Sequence, residues 1–419
     1  MRILHTADWH IGQTLNGFGR EAEHRAFLDD LGQIIEDQQV DALLVAGDVF
    51  DGQNPSGEAQ RLLYSALAQF LRRRPGLIVV MIAGNHDPAQ RLEAPEAVLR
   101  GLGVHVIGTL HRRLDGGLDG VDMDRHLIPL TNAGGVLRAH VLAVPYLRIS
   151  DLPGLNLATE AGADTGIETA SRRLHGEMTE AALRRAGGLP LIAMGHLTCA
   201  GGLESAGAER RILIGGDHAV PPDIFPAALS YVALGHLHRP QNLDGGRLRY
   251  AGSPLPLSKT ELAYDHGVTL IELGPQGLSH RHLPLPRRVQ MLQLPQSGAL
   301  TLPGALTLQG LEAALLALGL DAELPRDLQP FVYLDLQLDH AVPVVLAELE
   351  ALLARHPLRL AGVQLRRPEG TGVAMPEAEP PGLADTAPED LFRAAFLATH
   401  GQDPDLRHLA AFHDAMAGV

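Results

Sequence analysis

An uninterrupted apolar run at residues 77–83 ends abruptly in the polar sequence Gly84-Asn85-His86-Asp87. A short apolar run that is rich in β-branched residues predicts a strand buried on both faces of a sheet. In open α/β folds, ligands bind in the crevice beyond the carboxyl ends of the strands. We therefore expect the amide, imidazole and carboxylate groups of residues 85–87 to lie at a sheet edge where a ligand binds.

Four other predicted strands end in the same way. Strands predicted at residues 2–7, 42–46, 189–194 and 231–234 are each followed by polar side chains. The five strand ends together supply Asp8, His10, Asp48, Asn85, His196, His236 and His238. One polar residue at a strand end usually has a structural role, but five such ends at one sheet edge predict a metal site. Seven ligands serve two ions if a carboxylate bridges them, and Asp48 is the best candidate because it follows a glycine on a central strand.

The net charge limits how this chain can bind its substrate. A formal charge of −15 argues against holding nucleic acid by bulk electrostatics. Mixed imidazole, carboxylate and amide ligands suit manganese, iron or zinc better than magnesium or calcium alone. Two such ions, about 3.5 to 4 Å apart, activate a water and neutralise the attacking and leaving oxygens of a phosphoryl group. We therefore expect the ions or a basic partner to supply the missing positive charge.

The length of 419 residues predicts more than one domain. Helices predicted at residues 21–39 and 58–74 alternate with the first three strands, which is typical of βαβ units in an α/β fold. Hairpins are predicted between residues 101 and 147, and a helix at residues 167–186. The predicted domains are residues 1–286, a small α/β domain at 287–368, a linker rich in Gly, Pro and acids at 369–387, and a helical tail at 388–419.

Two short helices are predicted in the tail, at residues 388–399 and 406–416. Helices of this length are marginally stable alone. We therefore expect their apolar stripes to dock on a partner, with folding back onto this chain as the alternative. The residues of these stripes that we predict to bind a partner are Leu391, Phe392, Phe396, Leu409 and Phe412.

Cysteine content and hydropathy indicate the compartment. Cys199 is the only cysteine, so an intrachain disulfide is impossible and a reducing cytosol is expected. No apolar run approaches the ~18 to 20 residues that cross a bilayer, and the first residues lack the apolar stretch of a signal peptide. We expect a cytoplasmic protein with no membrane partner.

Five short motifs carry a family resemblance. Asp8-x-His10, Gly47-Asp48-x-x-Asp51, Gly84-Asn85-His86-Asp87, Gly195-His196 and Gly235-His236-x-His238 resemble, in this order, the five motifs of the calcineurin-like metallophosphoesterases. Three longer stretches, residues 5–13, 46–51 and 251–258, resemble the SbcD branch of bacterial nucleases. The likeness covers nearly the whole chain and is weaker after about residue 287.

The resemblance implies a four-layered αββα phosphoesterase domain with a small α/β capping domain and a C-terminal helical tail. It also implies two Mn²⁺ ions or other divalent transition metals, one held by Asp8, His10, Asp48 and His238, the other by Asp48, Asn85, His196 and His236. His86 matches the catalytic histidine, which stabilises the pentacoordinate phosphate or protonates the leaving alkoxide. Asp51 matches the carboxylate that orients this histidine in related phosphatases, whereas archaeal and eukaryotic relatives have histidine there.

The same resemblance implies partners and a substrate. The expected function is that of a DNA repair and recombination nuclease, associated with the nucleoid. It would act with an SbcC-type ATPase bound to the tail helices, as a homodimer formed through helices at residues 58–74 and 89–100. Expected activities are ATP-dependent exonuclease action on duplex DNA and endonuclease action on hairpins and single strands. Lys259, Ser253 and Arg148 are candidate DNA contacts beside the metals.

Two other functions are compatible with the same motifs. A phosphatase or cyclic-nucleotide phosphodiesterase would hydrolyse a small substrate with these metals, but it would need neither a capping domain nor a tail. A non-catalytic DNA-tethering protein would contain a decayed site, but all the ligands and His86 are present.

Overall fold

The computed structural model describes residues 1–113, 120–152, 163–205, 219–295, 306–338 and 342–366, and four single residues beyond them. The chain divides into two compact units, Met1–Arg366 and Arg367–Val419. Among the described residues, no helix is both long and apolar enough to span a bilayer.

The first unit contains seventeen named strands and eight α-helices within the described ranges. The strands are β1 Arg2–Thr6, β2 Thr14–Leu15, β3 Phe18–Gly19, β4 Ala42–Ala46, β5 Ile78–Ile82, β6 Val104–Ile107, β7 Leu127–Thr131, β8 Leu137–Ala143, β9 Leu191–His196, β10 Tyr231–Gly235, β11 Gln241–Leu243, β12 Leu248–Tyr250, β13 Gly267–Gly274, β14 Gly277–Pro284, β15 Met291–Leu294, β16 Phe331–Gln337 and β17 Arg359–Arg366. The helices are α1 Glu21–Asp37, α2 Gly57–Arg73, α3 Ala89–Glu93, α4 Glu96–Arg100, α5 Met123–His126, α6 Ala163–Ala186, α7 Leu308–Ala317 and α8 Val342–Leu353.

Two six-stranded sheets form the centre of this unit. Their strand orders are β14-β13-β1-β4-β5-β6 and β11-β12-β10-β9-β8-β7. β1, β4, β5 and β6 are parallel in the first sheet, as are β8, β9, β10 and β12 in the second. The sheets pack face to face through apolar side chains such as Leu44 and Val80 on one and Val141 and Ile192 on the other.

Helices cover the outer faces of both sheets. Phe27 of α1 and Phe70 of α2 pack in one cluster with Val79 of the first sheet. Leu174 of α6 packs with Val232 of the second sheet. The αββα arrangement of four layers that we expected is therefore confirmed.

Helix α2 shows how the sequence sets these boundaries. The Ser56 side chain accepts a hydrogen bond of 3.1 Å from the Ala59 N–H, which satisfies one of the unpaired donors of the first turn. The helix ends just before Pro75-Gly76, which cannot continue it. Its buried stripe, Leu62, Leu63, Ala66, Leu67 and Phe70, has the helical spacing seen in the sequence.

The small α/β region lies in the same compact unit, Met1–Arg366. Its parallel sheet β15-β16-β17 packs against α7 and α8 through residues such as Leu311, Leu334 and Leu349. A second cluster, which contains Met291 and Phe331, packs against Phe18 of the β2–β3 hairpin. The structure therefore joins this sheet to the hairpin that follows β1 through an apolar contact.

Two regions differ from the expected pattern. Residues 104–107 form the parallel edge strand β6 and not a hairpin, whereas β7 and β8 form the predicted hairpin around Gly134-Gly135. Residues 89–100 form two short helices that are broken at Pro95, because proline lacks the N–H that a continuous helix would need. Gly116-Gly117 and most of the two tail helices lie outside the described residues.

His5 provides a test of the packing between the sheets. Its Nε2–H donates to the Leu234 carbonyl oxygen at 3.2 Å, and its Nδ1 accepts from the Tyr231 hydroxyl at 3.0 Å. Burial, with a smaller contribution from Arg249, lowers the pKa of His5 from 6.5 to about 3. The unfolded chain therefore binds one more proton than the folded chain between these pH values, so stability falls as the solution is acidified.

We expect His5→Leu to reduce the pH dependence of the free energy of unfolding by up to about 1.4 kcal/mol per pH unit below pH 6.5. Urea denaturation of both proteins from pH 4 to pH 8 measures this slope. At neutral pH the variant is also less stable, because Tyr231 and Leu234 lose a partner, but that constant offset does not change the slope. Equal slopes would contradict a neutral buried His5.

Candidate metal centre

The backbone is unusual at the predicted ligands. Asp8, His10, Asp48 and His236 have positive φ angles of 54°, 46°, 49° and 99°. Such angles are uncommon for residues other than glycine and cluster at functional sites. Hydrogen bonds of 3.0 Å, from the Asp8 N–H to Gly47 O and from the His10 N–H to Asp48 O, hold the first two strand ends side by side.

The motif glycines allow this close approach. A Cβ atom on Gly84 would lie 2.2 Å from Asp48 Oδ1 and 2.4 Å from the Asp48 nitrogen. A Cβ atom on Gly47 would lie 2.2 Å from His196 Nδ1, across the gap between the two sheets. These two glycines are therefore required for space, and not only for a turn.

The seven predicted ligands come together at the carboxyl ends of β1, β4, β5, β9 and β10. Two groups have ligand atoms within 4.8 Å of one another: Asp8, His10 and His238, and Asp48, His196 and His236. Asn85 joins the second group, since its Oδ1 lies 3.0 Å from His196 Nε2 and 3.1 Å from His236 Nδ1.

Asp48 belongs to the second group and also approaches the first. Its Oδ2 is 3.3 Å from His196 Nε2 in one group and 3.6 Å from His10 Nε2 in the other. Its Oδ1 accepts a hydrogen bond of 2.8 Å from the His86 N–H, which fixes the carboxylate. This position fits the bridging role predicted for Asp48.

Two atoms of the site have unmet hydrogen-bonding capacity. Asp8 Oδ2 and His10 Nε2 are buried, and neither has a hydrogen-bond partner among the described residues. A buried polar atom without a partner costs free energy, commonly about 1 to 3 kcal/mol. Nitrogen and oxygen donors arranged in this way fit a divalent transition metal, which would satisfy both atoms.

The electrostatics of the centre keep the Asp48 carboxylate ionised. Burial opposes ionisation of Asp48, but His196 and His10 hold the pKa of this carboxyl below its usual range. Burial also lowers the pKa of His196, yet the charge of Asp48 and its hydrogen bond outweigh burial and raise that pKa to about 9. The site therefore contains a buried anion that attracts cations.

His86 lies beside the first group, with its ring centroid 4.8 Å from that of His10. Its Nδ1 is 2.9 Å from the main-chain carbonyl oxygen of Asp51, so Nδ1–H donates to that oxygen. The Asp51 carboxylate lies 3.1 Å from His10 Nδ1. Asp51 thus contacts both histidines, but its hydrogen bond to His86 uses the main chain and not the carboxylate that we expected.

Two buried carboxylates that contact the site were given no role in the sequence analysis. The buried Asp87 carboxylate accepts hydrogen bonds from the N–H groups of Val49, Phe50 and Gly84, at 2.8 to 3.1 Å. Burial and the nearby Asp48 raise the pKa of Asp87 to about 6. Glu261, fully buried against His238, is the second. The motif that contains Asp87 could have indicated that this residue matters. For Glu261, the only signal in the sequence is that it closely follows the 251–258 stretch.

The predicted DNA contacts have three different environments. Ser253 is fully buried against Glu261 and His266, so this serine is not available to a phosphate and that prediction is not supported. Lys259 Nζ lies 3.1 Å from Asp335 Oδ1 of β16 in an ion pair. Arg148 is exposed just after β8.

The predicted partner-binding residues belong to the second unit, Arg367–Val419. Leu391, Phe392 and Phe412 lie outside the described residues. The Phe396 ring centroid is 4.6 Å from that of His408, and Leu409 is helical.

The glycine contacts predict a large effect of one added methyl group. We expect Gly84→Ala to destabilise the protein by about 1 to 3 kcal/mol, because the new Cβ displaces the Asp48 main chain as well as its carboxylate. It should also weaken Mn²⁺ binding. Gly52→Ala is the matched control, since a Cβ atom there meets nothing within 4 Å. Thermal unfolding and Mn²⁺ titration measure both effects, and a Gly84→Ala protein that behaves like the control would contradict the steric role of this glycine.

Comparison with known proteins places the chain in a family. Residues 1–240 match the family described as Calcineurin-like phosphoesterase. The chain is 62% identical over 397 residues to the SbcD component of nuclease SbcCD from Rhodobacter capsulatus, covering 94% of each chain. It is 36% identical over 289 residues to the Bacillus subtilis protein of that name, covering 66% of this chain and 67% of the relative. For the Escherichia coli K12 protein the identity is 35% over 306 residues, covering 70% and 71%. The chain therefore belongs to the calcineurin-like phosphoesterases and, within them, to the SbcD family of nuclease components.

Proposed function

We propose that this chain is the nuclease component of an SbcCD-type complex, and that it hydrolyses DNA phosphodiester bonds with two Mn²⁺ ions. One observation carries the proposal. Two groups of imidazole and carboxylate ligands meet at Asp48, and Asp8 Oδ2 and His10 Nε2 are buried there without a hydrogen-bond partner among the described residues. Similarity to an SbcD protein over nearly the whole chain supports DNA as the substrate.

The ligands divide between two metal positions. Asp8, His10, Asp48 and His238 would hold one ion, and Asp48, Asn85, His196 and His236 the other. When bound there, two ions would supply an activated water and a Lewis acid for in-line attack on the phosphorus. The carboxylate of Asp51 restrains the His10 ring through Nδ1, so that Nε2 faces the metal position.

His86 is the proposed catalytic histidine. The Asp51 carbonyl oxygen accepts from Nδ1–H, which leaves Nε2 as the atom that gains or loses a proton. As imidazolium, His86 stabilises the extra negative charge on the phosphate or protonates the leaving oxygen. Asp87 and Gln53 hold the loop that carries His86, the first through three N–H groups and the second by donating to the carbonyl oxygens of His86 and Asp87.

The wider assembly is also proposed. Residues 287–368 would cap the site, and the helices of residues 388–419 would bind an SbcC-type ATPase, beyond a linker at 369–387. A homodimer would form through α2, α3 and α4. Two exposed apolar residues in this region, Val98 on α4 and Leu102 after it, with 73% and 59% exposure, support that surface. The complex would act in the cytoplasm on the nucleoid, as exonuclease on duplex DNA and as endonuclease on hairpins and single strands.

His86→Ala tests the catalytic role. We expect Mn²⁺-dependent cleavage of end-labelled duplex and hairpin DNA to slow by about 10²- to 10⁴-fold, because general acid–base groups contribute about that factor. Mn²⁺ titration should still show two ions. His356→Ala, a histidine just after α8 in the small α/β region, is the control and should keep full activity. The assays are run with and without an SbcC-type ATPase and ATP.

Other outcomes of these assays support the alternatives. Wild-type protein that hydrolyses bis-p-nitrophenyl phosphate but no DNA, with or without the ATPase, would favour a phosphatase or phosphodiesterase acting on a small substrate. A His86→Ala protein with unchanged cleavage would favour a DNA-tethering protein with no catalytic role for this site.

Arg148 is the best supported of the three predicted DNA contacts because it is exposed. We expect Arg148→Gln to reduce the slope of log K against log salt by about 0.7 to 0.9, which corresponds to the loss of one phosphate contact. Arg184→Gln is the control. Arg184 stands in the last turn of α6, just before β9 begins, and therefore near the opposite edge of the sheet. Fluorescence anisotropy at several salt concentrations measures the slopes, and an unchanged slope for Arg148→Gln would exclude this contact.

A further inference from the structure

Glu261 is a carboxylate inside the protein that the motifs do not include. It is completely buried, and its Oε1 lies 2.9 Å from Nδ1 of His238. Its Oε2 accepts a hydrogen bond of 2.8 Å from the Leu257 N–H. The hydroxyl groups of Ser253 and Ser258 lie 3.5 and 3.4 Å from the carboxylate. Each carboxylate oxygen is thus held by a fixed partner.

The contact with His238 determines which ring nitrogen carries the proton. A carboxylate accepts hydrogen bonds, so Nδ1 of His238 carries the hydrogen and donates it to Glu261. The other nitrogen, Nε2, then has the lone pair that a metal requires. His238 belongs to the group with Asp8 and His10, whose ligand atoms lie within 4.8 Å of one another.

The loop between β12 and Glu261 holds His238 from a second side. The Ser253 N–H donates to the His238 carbonyl oxygen at 3.1 Å. Gly252 has a φ of +76°, and a Cβ atom there would lie 2.6 Å from the same carbonyl oxygen. This loop therefore fixes the main chain of His238, while Glu261 fixes its side chain.

We infer that Glu261 is a positioning residue for the metal centre, and that the 252–261 loop serves to hold His238 and not to bind a DNA phosphate through Ser253. Histidine ligands of metals commonly donate their second N–H to a carboxylate, and loss of that carboxylate typically weakens metal binding 10- to 100-fold. The inference rests on the proposed function, because it requires a metal at the group of Asp8, His10 and His238. In this role Glu261 acts through His238 and does not touch the substrate.

Mn²⁺ titration of the full chain, followed by the electron paramagnetic resonance signal of unbound Mn²⁺, tests the inference without using activity. Wild type should bind two ions. In Glu261→Ala one of the two should bind 10- to 100-fold more weakly while the other is unchanged. Glu261→Gln, which has the same shape and keeps an acceptor oxygen, should lie between wild type and Glu261→Ala.

Glu93→Gln is the matched control. The Glu93 carboxylate also contacts an imidazole, that of His111, but outside the two ligand groups. This control should bind both ions as wild type does, even if its stability decreases. Thermal unfolding of the metal-free proteins shows whether each variant is folded, and Glu261→Gln keeps the test possible if Glu261→Ala does not fold.

Nitrogen chemical shifts of the histidine rings in the metal-free protein give a second measurement. The His238 ring should be in the Nδ1–H form in wild type and should become a mixture of both neutral tautomers in Glu261→Ala. A purely structural role for Glu261 would lower stability without changing this signal or the affinity of one ion.

The Mn²⁺ titration and the histidine chemical shifts distinguish a failure of the proposed function from a failure of the inference about Glu261. If wild type binds no Mn²⁺, the proposed function is wrong. If wild type binds two ions, and both Glu261 variants bind them with wild-type affinity and keep the wild-type His238 tautomer, the inference about Glu261 is wrong while the proposed function stands.

Discussion

The close approach of the two sheets at one edge is the constraint on which the rest of the structure depends. The sheets pack through apolar side chains along their length, but at this edge the contacts become polar. His196 Nδ1 lies 2.8 Å from the Ala46 carbonyl oxygen, and the His236 N–H donates to Asp8 Oδ1 at 2.9 Å. Each contact joins a residue at the end of one sheet to a residue at the end of the other. Because these contacts are fixed by backbone atoms, the ligand positions follow from the fold itself.

This arrangement buries the carboxylates of Asp8 and Asp48 close together, and the neighbouring protein groups compensate their negative charge only in part. Asp8 and Asp48 are both fully buried, and burial raises the pKa of Asp8. The chain as a whole is acidic, with a formal charge of −15. Two divalent cations would offset the charge of the carboxylates and provide the positive potential that a phosphodiester requires. The same ions would thus stabilise the folded centre and bind the substrate.

The sequence predicted that these seven side chains would meet, because each lies at or shortly after the end of a buried strand, and parallel strands end at one edge. It did not reveal Glu261, because a loop residue that packs on His238 can be recognised only when the path of the chain is known. The burial of Ser253, which leaves its predicted DNA contact unsupported, was missed for a related reason: the motif-like stretch gives residue types but not burial. The contacts of Asp51 illustrate a third limit, since sequence cannot distinguish a side-chain acceptor from a main-chain one. At Pro95 the break between α3 and α4 was visible in the sequence and was overlooked.

The ion pair between Lys259 and Asp335 connects the metal centre to the small sheet. Asp335 lies on β16 and also pairs with Arg366, 3.3 Å away. Lys259 is only two residues from Glu261, so the segment that restrains His238 is fastened to β16 as well. Displacement of the small sheet would therefore pull on His238, a proposed metal ligand. By thermodynamic linkage, metal binding would then shift the position of the sheet, and the position of the sheet would change the affinity for the metal. An event that moves the sheet would therefore regulate the centre by changing how tightly it binds its ions.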